Sequence, residues 1–132
     1  AAAKHYGLKP EDIGDRLCEE VMCAILGRAE QYGSFVRLDM EGSAYTQRTL
    51  DFFESRLYRR FPGNVGIVLQ SALRRTPDDV ERAIGLGCRV RLCKGAYLEP
   101  PAVAFPAKRD VDAAYLRCMR TLMERGLLWA AK

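Results

Sequence analysis

The stretch Cys88–Glu99, CRVRLCKGAYLE, sets an arginine, a lysine, a glycine and an aromatic in close succession after apolar residues. A strand alternates its side chains between two faces, so Val90 and Leu92 share one face while Arg89, Arg91 and Cys93 share the other. A guanidinium in mid-strand is poorly explained by packing. Lys94 can offer a compact positive charge to a phosphate or an anionic ring, and Gly95 lets the backbone come close to a ligand. The same design recurs twice upstream. In FVRLDME, Val36, Leu38 and Met40 alternate with Arg37, Asp39 and Glu41, and the apolar run VGIVLQ closes on Gln70. Taken singly, such a charge can be explained as a buried ion pair, Asp39 with Arg37 or with Arg91, that only satisfies the core. Several polar groups at successive strand ends favour a ligand, because repeated desolvation of charge without function is costly.

The intervening segments are those that would hold such strands in a parallel sheet. Residues 1–6 read as the end of a strand. Pro10, Glu11 and Asp12 open a helix in which Ile13, Leu17, Val21, Ala24, Ile25 and Ala29 recur at helical spacing up to Gly33. Phe35–Glu41 is a strand, and Tyr45–Phe61 a helix with Leu50, Phe53, Leu57 and Tyr58 as its buried stripe. Val65–Gln70 is a strand with the near-continuous apolar character of one buried on both faces. Thr76 as N-cap, Pro77 and two acids start a third helix that runs to Ile84. The Arg91 strand, a proline-rich loop, a helix over Arg109–Arg125 and a final strand over 127–131 complete a β-α-β-α-β-α-β-α-β order. Short connections and strict alternation call for a parallel α/β sheet in one unit, 1–132. A doubly wound sheet is the rival of a barrel. Its G-x-G-x-x-G phosphate loop is absent, since Gly85-Leu86-Gly87 precedes a strand.

Composition bounds the alternatives. The 132 residues are 48% hydrophobic and 29% charged, which excludes disorder, and the net charge of +4 comes from dispersed arginines interleaved with acids. That pattern fits solvated helix faces, and no nucleic-acid partner is expected. Five cysteines without C-x-x-C spacing point to reduced thiols in a reducing, cytoplasmic compartment. One histidine, His5, gives no basis for a metal site. No apolar run is long enough to span a membrane. The length suits a domain with a real core but is too short for a complete eight-stranded barrel of roughly 250 residues.

VRLDME at 36–41, GIVLQS at 66–71 and RLCKGAY at 91–97, followed by Glu99-Pro100, Ala104-Phe105-Pro106 and Lys108-Arg109, resemble the FAD-dependent proline dehydrogenases, especially the bacterial monofunctional type. The resemblance runs from about Leu8 to Leu128, with the motifs in the same order. It implies a flavin carried on a TIM-type (βα)₈ barrel that oxidises L-proline to Δ1-pyrroline-5-carboxylate in proline catabolism. Electrons would pass to a quinone at the membrane, with peripheral association at its inner face. By motif, Asp39 and Arg91 match the active-site carboxylate and arginine, and Met40, Gln70, Lys94, Gly95 and Ala96 match FAD contacts.

A substrate lysine is expected on the first strand. Ala2 falls at its place, and Lys4, two residues on and on the same strand face, is the candidate substitute. The resemblance also implies that the chain is a partial barrel of about four βα units plus the start of a fifth strand. It stops ahead of a threonine–histidine segment and of a helix whose paired arginines hold the substrate carboxylate. Two other readings compete: a non-catalytic half-barrel that self-associates through its open strand edges, and a barrel enzyme acting on a phosphate-bearing ligand.

Overall fold

The apolar run Val65–Gln70 forms β2, the central strand of a three-stranded sheet in the computed structural model, which describes residues 10–126. Every residue of β2 is buried, as a strand covered on both faces requires. β1 (Val36–Leu38) pairs parallel to it, with Val36 level with Val65 and Leu38 with Ile67. On the other side β3 (Arg89–Cys93) is also parallel, running from Gly66 level with Arg89 to Gln70 level with Cys93. The strand order is β1-β2-β3.

Four helices alternate with these strands: α1 (Pro10–Gln31), α2 (Ser43–Phe52), α3 (Thr76–Leu86) and α4 (Lys108–Gly126). α2 widens into a π-helical segment, Phe53–Tyr58, before the chain turns towards β2. The alternating order with a parallel sheet bears out the α/β reading. The strands expected over 1–6 and 127–131, and with them Lys4, lie outside the described residues.

The core is the apolar face of the sheet against helix residues, among them Leu26, Leu50, Phe53, Leu57, Val80 and Cys118. Leu50, Phe53 and Leu57 are buried as their spacing predicts, and the Tyr58 hydroxyl donates to the Leu86 carbonyl at 2.9 Å. α1 departs from expectation. Leu17, Val21 and Ile25 are 56, 59 and 46% exposed, whereas Leu26 and Ala29 are buried. α1 carries apolar residues on more than one face, and contact with the π-helical segment selects the Leu26 side. Periodicity alone cannot make that choice.

α3 follows the expected punctuation, with proline and acids in its first turn and a left-handed Gly87 (φ 71°) after its last residue. Thr76 is a correction. It lies inside the helix, and its buried hydroxyl donates to the Gln70 carbonyl, so it ties α3 to the end of β2 instead of capping the helix. β1 is also shorter than expected. Its ladder ends at Leu38 and leaves Asp39–Glu41 as loop.

Candidate active site at the strand ends

Register and alternation put Arg37, Gly66 and Arg89 in one row and Val68 and Arg91 in the next, on the sheet face opposite Leu38, Ile67, Leu69 and Leu92. Phe35 covers the first row. Its ring lies 5.2 Å from the Arg37 guanidinium and 4.7 Å from that of Arg89, and its Cζ would stand 2.6 Å from a Cβ on Gly66. Gly66 therefore makes room for an aromatic lid at the start of the strands. The sequence motif GIV contained that glycine, but nothing in it pointed to Phe35.

At the other end of the strands the polar groups gather. Gln70 is buried, and its Nε2 donates to the carbonyls of Met40 at 2.9 Å and Glu41 at 3.2 Å. A side chain at the end of β2 thus fixes the loop that follows β1. Asp39 is exposed, and its Oδ1 accepts from the Met40 N–H at 2.9 Å. Gly95, at φ 106°, packs on Gln70: a Cβ there would meet Gln70 Oε1 at 2.9 Å. Sheet pairing continues past the strands, with Ser71 N–H donating to the Cys93 carbonyl and Ala72 N–H to that of Lys94, both at 2.8 Å.

Arg91 is exposed and forms no ion pair among the described residues, so the buried pair with Asp39 is not formed. The two charges nonetheless act on the same neighbour. Burial raises the Cys93 thiol pKa, Arg91 pulls it down, and Asp39 pushes it up. Asp39 also acts through space on Tyr97, whose pKa is raised mainly by its hydroxyl donating to Glu41.

Lys94 is placed differently from Arg91. Its ammonium lies 2.6 Å from Asp112 Oδ1 on α4, and Lys108 holds the other oxygen at 2.6 Å. The two cations keep the Asp112 carboxyl below its usual range. Met40 differs as well, since its side chain belongs to the core and its N–H and carbonyl are both engaged. Ala96 is exposed on the loop after β3. The structure thus brings Asp39, Gln70 and Gly95 to one end of one sheet, with Arg91 one row back on the Gln70 face, Lys94 turned to α4 and Met40 in the core.

Sequence reasoning missed Glu99. Its carboxylate accepts from both the N–H and the hydroxyl of Ser43 at 2.6 Å. A carboxylate four residues past a strand-end glycine was the available signal, but its partner is 56 positions away.

The profile of the family described as Proline dehydrogenase matches residues 3–130. The chain is 40% identical over 115 residues to Proline dehydrogenase 2 of Bacillus subtilis (strain 168), covering 87% of this chain and 37% of that protein. It is 39% identical over 102 residues to Proline dehydrogenase of Deinococcus radiodurans, covering 77% of this chain and 33% of that one. Among solved structures it superposes on proline utilization A (PutA) from Bdellovibrio bacteriovorus inactivated by N-propargylglycine. There the TM-score is 0.77 at 25% identity, over 86% of this chain and 14% of the other. The chain spans well under half the length of these relatives.

Proposed function

The chain belongs to the proline dehydrogenase family, and from that premise we propose that it supplies the strand-end half of a flavin site at which L-proline is oxidised to Δ1-pyrroline-5-carboxylate. The observation that carries this reading is the polar sheet face: Arg91, exposed and without an ion pair among the described residues, lies level with Val68 on the same face as the buried Gln70, one row before it. Continued through further βα units, that face becomes the interior of a (βα)₈ barrel, whose catalytic end is the C-terminal end of its strands.

The residues fit FAD on one structural ground. Gly95, with positive φ, turns its Cβ direction onto Gln70 and Ala72 and is exposed, so the backbone it shows to solvent carries no side chain, which suits close approach of a flat ring. Gln70, Gly95 and Ala96 would hold the cofactor, which when bound supplies the two-electron acceptor. Arg91, exposed on that face, contributes a permanent positive charge that would favour negative charge developing there. Asp39 keeps Oδ2 for a substrate N–H while Oδ1 is committed to Met40. Lys94 would act through its field or after release from Asp112. The quinone acceptor and a peripheral membrane contact rest on the family resemblance; no described helix is long and apolar enough to cross a membrane.

Reconstitution tests the reading. A protein carrying this chain within a complete barrel is expected to take up FAD, turn yellow, and lose its flavin absorbance when L-proline is added. A colourless protein that FAD cannot reconstitute would overturn the proposal. The 132-residue chain alone is expected to bind FAD weakly.

One observation favours the second reading, a self-associating half-barrel. Leu17, Val21 and Ile25 on α1 and Leu116, Met119 and Met123 on α4 are exposed apolar stripes on the first and last described helices. Sedimentation of the 132-residue chain as a well-behaved monomer would contradict it.

A further inference from the structure

α2 begins without help from its own sequence. Gly42, at the N-cap, has no side chain to offer the unbonded N–H groups of the first turn. Glu99 takes over from across the site, its two oxygens bonded to the N–H and the hydroxyl of Ser43. Negative charge at a helix N-terminus is also favoured by the helix dipole. Glu99 lies against the N-cap itself: a Cβ on Gly42 would be in van der Waals contact with Glu99 Oε1, at 3.4 Å. Two residues before Glu99, the Tyr97 hydroxyl donates to Glu41. The segment 39–43 is therefore gripped from two sides, by Gln70 from β2 and by Tyr97 and Glu99 from the loop after β3. Since the β1 ladder ends at Leu38, these contacts, together with the Met40 side chain buried in the core, hold Asp39 beyond the sheet.

We propose that Glu99 is a positioning residue: by capping α2 from the loop after β3 it fixes the 39–43 segment, and so sets the Asp39 carboxylate relative to the strand ends. This deepens the proposed function, and its relevance to catalysis rests on that reading. The Ser43 bonds, side-chain first and backbone second, hold the Glu99 carboxyl below its ordinary value of 4.5 against a smaller opposing effect of desolvation. The cap is thus charged at neutral pH. The other titratable groups at the junction are Glu41 and Tyr97, with Asp39 acting on Tyr97 through space.

The Met40 amide reports on Asp39 directly, because it donates to Oδ1. In E99A, hydrogen exchange at Ser43 and Met40 is expected to accelerate about fivefold or more, the effect of a lost cap, while Ile67 and Leu69 in β2 stay protected. E99Q, which keeps one acceptor, should fall between E99A and the parent. The parent Ser43 amide resonance should shift with a midpoint below 4.5, and this titration should vanish in E99Q. Unchanged Met40 exchange in E99A overturns the proposal.

In the FAD-loaded barrel, E99A should also lower kcat for L-proline about tenfold, the effect of a misplaced group, with less change in KM. An unchanged kcat alongside faster Ser43 exchange would make Glu99 a helix cap only and overturn the positioning claim. If the parent protein does not oxidise proline at all, the proposed reaction fails, while the Met40 amide still decides whether Glu99 sets Asp39.

Discussion

Gly95 rests directly on Gln70, so closely that a Cβ at position 95 would stand 2.9 Å from Gln70 Oε1, with the glycine backbone at φ 106°. Gln70 cannot easily retreat, since it is buried and its Nε2 is bonded to two carbonyls. Gly95→Ala therefore combines backbone strain with a clash against an anchored atom. Urea unfolding should show a loss of about 1–3 kcal/mol, and FAD affinity should fall with it. An unchanged midpoint would mean that the loop after β3 is free to adopt another course.

Gln70→Leu keeps the volume but removes the donor. The Met40 and Glu41 carbonyls then lose the donor they share, Gln70 Nε2, and the cost is expected at about 1–3 kcal/mol. The same denaturation experiment reads it, and hydrogen exchange in 39–43 should rise more than in β2.

Arg91→Met separates chemistry from scaffold. Arg91 is exposed and forms no ion pair among the described residues, so its removal should leave the melting temperature within a few degrees. Flavin reduction by L-proline in the complete barrel should slow by more than ~100-fold, as for loss of one preorganised electrostatic contact. A badly destabilised protein that still reduces flavin at the parent rate would assign Arg91 to the scaffold.

Two glycine substitutions should move stability in opposite directions. At Gly66 a Cβ would meet the Arg89 carbonyl oxygen and Phe35 Cζ, each at 2.6 Å, so Gly66→Ala forces β2 away from β3 and should lower the melting temperature sharply. At Gly85, inside α3, nothing lies within 4 Å. Gly85→Ala should stabilise by about 0.5–1 kcal/mol through the lower entropy of the unfolded chain.

The thiols should label in an order set by burial. Burial pushes the Cys88 thiol up to about 11, so it remains protonated through the neutral range and gains reactivity only as pH rises towards that value. Cys18 is exposed and Cys118 buried. Mass spectrometry after brief alkylation at about pH 8 should find Cys18 modified well before Cys88 or Cys118. Early labelling of Cys88 would show that the end of α3 opens readily.

The local parts of this protein were readable from residue order, because they depend on period. Alternation put Arg37 and Arg91 on the face opposite Leu38 and Leu92, and the apolar run ending in Gln70 marked a strand buried on both faces. Tertiary structure decided what period cannot: which side of α1 enters the core, with Leu26 buried and Val21 exposed; that Lys94 turns to Asp112 instead of joining Arg91; that Phe35 lies over Gly66; and that Glu99 starts a helix 56 positions earlier. A side chain's face is set by its own backbone geometry. Its partner is set by sheet register and by the course of the loops, and these exist only once the distant segments have packed together.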